Sequence, residues 1–92
     1  MQFEWNREKA KENLKKHRVG FEEAVTVFLD PLSITNPDPD HSSYEQRFID
    51  IGRSDNGHIL VVVYTERGSK IRIISCRKAT PSERQVYEKG GK

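Results

Sequence analysis

The segment Ile59-Leu60-Val61-Val62-Val63-Tyr64 is apolar at almost every position and lies between two turn signals, Asp55-Asn56-Gly57 before it and Arg67-Gly68-Ser69 after it. A strand without a polar face must be covered on both sides, which places this one at the centre of a sheet. The two turns give it a hairpin neighbour on each side. Phe48, Ile49 and Ile51 belong to the preceding strand, which ends near Gly52, and Lys70 to Arg77 form the following one. Consecutive hairpins make such a sheet mostly antiparallel.

The flanking segments supply helices. Phe3 and Trp5 alternate with Gln2 and Glu4 as in a short strand, and Asn6 is a good N-cap for a helix from Arg7 to His17. Glu8 pairs with Lys11, and Glu12 with Lys15 and Lys16, at helical spacing; the apolar face is thin, with Ala10, Leu14 and His17. Gly20 caps a second helix, in which Phe21, Ala24, Val25 and Phe28 follow the i, i+3, i+4, i+7 rule and which Asp30-Pro31 ends. Leu32 to Thr35 reads as a short edge strand and Asn36-Pro37-Asp38-Pro39-Asp40 as a loop. Thr80-Pro81-Ser82-Glu83 is a capping box with proline at the first helical position, opening a last helix that runs to Gly90-Gly91. The order is β-α-α-β-β-β-β-α and the class α+β: a mostly antiparallel sheet with two N-terminal helices and one C-terminal helix.

With 92 residues, the expectation is one domain covering 1–92, and an apolar content of 34% allows only a small core. No apolar run approaches the roughly 20 residues that span a bilayer. The first residues lack the basic and apolar regions of a signal peptide, and Cys76 has no second cysteine to pair with. A cytoplasmic protein without membrane contact is expected. The net charge of +2 hides an asymmetry: residues 47–92 carry ten Lys/Arg against five Asp/Glu. That excess suits a polyanion such as RNA, but it is modest, and on charge alone an ordinary solvated surface is the better reading.

No metal motif and no glycine-rich phosphate loop follows any strand, so no cofactor is expected; Asp38, Asp40 and His41 share a loop but show no ligand spacing. Cys76 lies within a strand and is expected to be packed. The charged candidates cluster at strand ends. In an extended chain Glu45 and Arg47 share one face, and His41 joins them if the extension begins early. Arg67 stands at a hairpin and Arg72 interrupts an apolar strand. Arg77 ends that strand on the side of Ile71, Ile73 and Ser75. Such guanidiniums repel one another unless carboxylates (Glu45, Glu66, Glu83) or a bound anion compensate, so a phosphate site and a structural salt-bridge network fit equally well. Lys16-His17 complements the negative end of its helix dipole, and histidine also suits proton transfer near neutrality.

The chain resembles the BrnT family of bacterial type II toxins along nearly its whole length. The resemblance is carried by Phe3-Glu4-Trp5, Lys16-His17, Phe21-Glu22-Glu23-Ala24, Phe28-Leu29-Asp30-Pro31, His41-Ser42 with Glu45 and Arg47, Ile51-Gly52, Val63-Tyr64-Thr65-Glu66-Arg67, Arg72-Ile73-Ile74-Ser75 with Arg77, and Glu83-Arg84 with Tyr87. It implies a RelE-like fold and a ribonuclease that shuts down translation. It also implies a cognate antitoxin, typically with a ribbon-helix-helix DNA-binding domain, through which alone operator DNA is contacted. Asn6 departs from a usual Asp, and Arg18 from the Gly that usually follows Lys-His; a left-handed backbone there would cost Arg about 1 kcal/mol relative to Gly.

Metal-independent RNA cleavage needs a base for the 2′-hydroxyl, cations for the phosphorane and an acid for the 5′-oxygen. The catalytic candidates are Glu45 or His17 as base, Arg47, Arg67, Arg72 and Arg77 as charge stabilisers with Lys16 in reserve, and His41 or His17 as acid. Lys16, Arg72, His41 and Arg84 are candidates for RNA binding. The alternative is a non-catalytic module that binds antitoxin or nucleic acid and tunes operon repression.

Overall fold

The computed structural model describes residues 1–38 and 45–90. Its elements are β1 (Gln2–Glu4), α1 (Arg7–His17), α2 (Phe21–Thr26), a 3₁₀ turn (Val27–Leu29), β2 (Ile34–Asp38), β3 (Arg47–Arg53), β4 (Ile59–Arg67), β5 (Lys70–Lys78) and α3 (Pro81–Glu88). The strands form one sheet in the order β1-β5-β4-β3-β2, so the apolar β4 is indeed central. Only β1 runs parallel to its neighbour; the other pairings are antiparallel.

One face of the sheet carries the core. Leu60, Val62 and Tyr64 of β4 and Ile71, Ile73 and Cys76 of β5 meet Val19, Phe21, Ala24 and Val27. Aromatic rings extend it: Phe28 lies 5.1 Å from Phe3 and 4.9 Å from Tyr64, which stacks on Phe48 at 5.6 Å. Cys76 is packed, and burial pushes its thiol up to about 11, against the hydrogen bond from Asn13.

Capping follows the sequence. Asn6 accepts from the Lys9 backbone N–H at 3.0 Å, and Thr80 and Glu83 complete a capping box around Pro81. Tyr87 of α3 donates to Asp30 at 2.6 Å, which latches this helix near the start of β2. Asp30 also accepts from the backbone of Arg53 and Leu32; these bonds outweigh its partial desolvation and hold its carboxyl below the usual range.

Four local expectations are corrected. The second helix stays α-helical only to Thr26 and then tightens to 3₁₀, which turns Val27 into the core where the regular spacing pointed to Val25, while Phe28 still packs against the core as expected. Asn36, Pro37 and Asp38 are strand, not loop: β2 is the edge strand, where proline's missing donor is tolerated. The residue that buries α1 is Asn13, while Leu14 is 53% exposed. Finally, β5 carries a bulge. Val63 pairs with Ser75 and Tyr64 with Ile73, so Ile74 is extra and the alternation reverses. Arg77 therefore opposes Val61 and lies on the face away from Ile71 and Ile73.

Candidate functional site

The face opposite the core holds a polar row to which every strand contributes. The registers align Glu4 of β1 with Arg72 of β5, Arg72 with Thr65 of β4, Thr65 with Arg47 of β3, and Arg47 with Asp38 of β2. Cross-strand partners project from the same side of a sheet, so the row is a consequence of register alone. Arg72 is fixed by a 3.1 Å ion pair to Glu4, and Thr65 donates to the Gln46 carbonyl at 2.7 Å.

Beside this row is a pocket of about 270 Å³ lined by Asn6, Lys9, Glu45, Arg47, Arg67, Arg72, Ile73 and Ile74. Arg67 approaches Glu45 at 3.4 Å. Four cations thus share the pocket with one carboxylate, and Glu4 compensates Arg72 from behind. Arg47 Nε is buried and has no hydrogen-bond partner among the described residues. Crowded cations and an unused buried donor are costly in an empty pocket and favourable around an anion.

A second pocket, of about 220 Å³, adjoins the first. It is lined by Lys9, Glu12, Asn13, Lys16, His17, Ile74 and Ser75, so Lys9 and Ile74 belong to both. The α1 wall is held against β5 by Asn13, whose side-chain amide donates to the Cys76 carbonyl at 2.8 Å and accepts from the Cys76 N–H at 3.1 Å.

The structure thus brings Glu45, Arg47, Arg67 and Arg72 together. Lys16 and His17 line the adjoining pocket. Arg77 lines neither; its guanidinium grips Glu83 through two hydrogen bonds of 2.7 and 2.8 Å. That grip, with a lesser opposing effect of desolvation, brings Glu83 down to about 2. Arg84 is exposed on α3, and His41 lies outside the described residues. Glu4, Lys9 and Asn13 were missed by sequence reasoning. The signal for the last two is the Lys9, Asn13, Lys16 spacing, which puts them on one helical face; for Glu4 it is the β1 alternation away from Phe3 and Trp5. Among the described residues, no three His, Cys, Asp or Glu side chains gather as a metal site would require.

Over residues 5–83 the sequence matches the family described as "Ribonuclease toxin, BrnT, of type II toxin-antitoxin system". No curated protein sequence matches. Among solved structures, the chain is similar to the Brucella abortus ribonuclease toxin BrnT, with 26% identity and a TM-score of 0.67, covering 87% of this chain and 97% of that one.

Proposed function

The chain belongs to the BrnT family of ribonuclease toxins of type II toxin–antitoxin systems, and from that premise we propose that the arginine pocket cleaves RNA by metal-independent attack of the 2′-hydroxyl. The observation that carries this reading is the gathering of Arg47, Arg67, Arg72 and Lys9 around Glu45.

Glu45 takes the proton of the 2′-hydroxyl, whose oxygen attacks the adjacent phosphorus. Arg67 holds the Glu45 carboxylate. Arg47 and Arg72 face the non-bridging oxygens, where negative charge grows as the phosphorane forms; guanidiniums fixed before the reaction stabilise it without reorganising. Arg72 is set in place by Glu4. The departing 5′-oxygen needs a proton. Arginine does not release one, so Lys9 is the lining cation suited to that step. The bond to the 5′-oxygen breaks, leaving a 2′,3′-cyclic phosphate and a 5′-hydroxyl.

A type II family implies an antitoxin partner. We assign it the ribbon-helix-helix type, contacting operator DNA on the toxin's behalf and covering the basic pocket, in the cytoplasm. Incubation of purified protein with a synthetic RNA in EDTA tests the chemistry. Cyclic-phosphate ends are expected; loss of cleavage in EDTA overturns metal independence, and salt-dependent binding to RNA that stays intact supports the non-catalytic module.

A further inference from the structure

The arginine pocket continues along α1. Lys9 and Ile74 line both it and the second pocket, so the two form one trench between α1 and the edge of β5. Its course has a structural cause. The bulge leaves Ile74 without a partner on β4, so this side chain is half-buried at the junction while Ile73 is 2% exposed in the core. Beyond β1, which pairs only with Lys70–Arg72, the edge of β5 is taken up by the Asn13 amide at Cys76. A helix, not a strand, therefore walls the trench, and it presents Lys9 and Lys16 to it.

We propose that this second pocket seats the nucleotide one step beyond the two joined by the cleaved bond. Lys16 holds the phosphate of that nucleotide, and the His17 ring and Ile74 contact its base. The assignment rests on the reading of the arginine pocket as the place of RNA cleavage. Three features carry it. The two cavities share Lys9 and Ile74 in their walls and so lie side by side, as a substrate with successive phosphates requires. The second holds Lys9 and Lys16 against the single carboxylate Glu12, so it favours an anion. It also offers an apolar and an aromatic surface, Ile74 and His17, beside the Ser75 hydroxyl; a base needs such surfaces and a bare phosphate site does not. His17 lines this pocket and not the one that holds Glu45, so it binds substrate and does not exchange protons at the scissile phosphate.

The test uses the full chain with Lys16→Gln and His17→Gln, checked for folding by circular dichroism. Cleavage is compared on a dinucleotide and on a hexanucleotide containing the same step. Binding is measured separately with a 2′-deoxy hexanucleotide, which cannot be cleaved. The hexanucleotide's advantage in kcat/KM is expected to fall about tenfold in each variant, through KM: in Lys16→Gln as for loss of one charge-assisted contact, in His17→Gln as for loss of one ring–base contact. In Lys16→Gln the slope of log affinity against log salt is expected to fall by about 0.7. An unchanged length advantage together with unchanged 2′-deoxy binding overturns the subsite. A fall in kcat with KM constant in His17→Gln returns His17 to the chemistry and also overturns it. If the wild type cleaves neither RNA yet its 2′-deoxy binding depends on Lys16 and His17, the catalytic reading fails and the subsite stands.

Discussion

Asn13 and Cys76 are paired as two strand residues would be: the Asn13 amide donates to the Cys76 carbonyl at 2.8 Å and its oxygen accepts the Cys76 N–H at 3.1 Å. A second donation, to the Val19 carbonyl at 3.0 Å, ties in the chain after α1. One side chain thus stands in for the strand that β1 is too short to supply, and it fixes α1 where Lys9, Lys16 and His17 reach the trench. Asn13→Ala leaves two buried backbone groups of Cys76 unpaired and is expected to cost about 2–3 kcal/mol, read from urea denaturation. RNA affinity at a temperature where the variant is still folded is expected to fall as well, because the α1 wall loses its anchor.

Arg18 has φ 61° and ψ 27°, the left-handed conformation, at the C-cap of α1. Its backbone N–H closes the helix on the Leu14 carbonyl at 2.9 Å, so the turn is required even though the residue is unsuited to it. Arg18→Gly is expected to stabilise by up to about 1 kcal/mol. Arg18→Ala, which keeps the Cβ, should give no gain; equal gains in both variants would trace the effect to the lost charge instead.

Much of this architecture is legible along the chain. The turns at Asp55-Asn56-Gly57 and Arg67-Gly68-Ser69 set β3, β4 and β5 in order, and Asn6 and Thr80 mark their helix starts. Strand parity and proximity to a hairpin suggested a group of Glu45, Arg47, Arg67, Arg72 and Arg77, of which the first four line one pocket and Arg77 does not. What escaped depends on residues far apart in sequence. The Glu4–Arg72 pair exists because β1 lies beside β5, which no local pattern encodes. Asn13 stands out in no local pattern, because its partner is a backbone 63 positions away. The bulge at Ile74 shows in the sequence only as two adjacent isoleucines where the apolar alternation changes parity, yet it decides which way Arg77 points.

The Arg77–Glu83 pair joins the end of β5 to the first turn of α3. Glu83 is held at about 2, against an ordinary 4.5, chiefly by the Arg77 hydrogen bonds. A carboxylate depressed in the folded state contributes stability that is complete above its unfolded pKa and is lost as pH falls through the folded value. Wild-type stability is therefore expected to drop as pH goes from about 4.5 to about 2, and Glu83→Gln to flatten that part of the profile, as followed by denaturant midpoints. Arg77→Lys keeps the charge but not the two-pronged contact, so its expected first effect is a lower melting temperature.

Glu45 is the carboxylate that lines the arginine pocket, and Arg67 reaches it at 3.4 Å. The Arg67 side chain is 52% exposed, and a pair of that kind contributes about 0–1 kcal/mol, so removing the charge should hardly affect folding. If the carboxylate instead takes the 2′-hydroxyl proton, its loss removes a step that typically supplies a factor of about 100 or more. Glu45→Gln keeps the shape and removes the charge. It is expected to lower RNA cleavage on the order of 100-fold, with the melting temperature nearly unchanged. RNA binding should be retained or tightened, because the pocket becomes more positive when its one lining carboxylate is neutralised. Cleavage near the wild-type rate would make the Glu45–Arg67 contact a salt-bridged rim and move the search for the base elsewhere. Loss of cleavage and of binding together would mean that Glu45 shapes the pocket, holding Arg67 for the phosphate, without handling the proton.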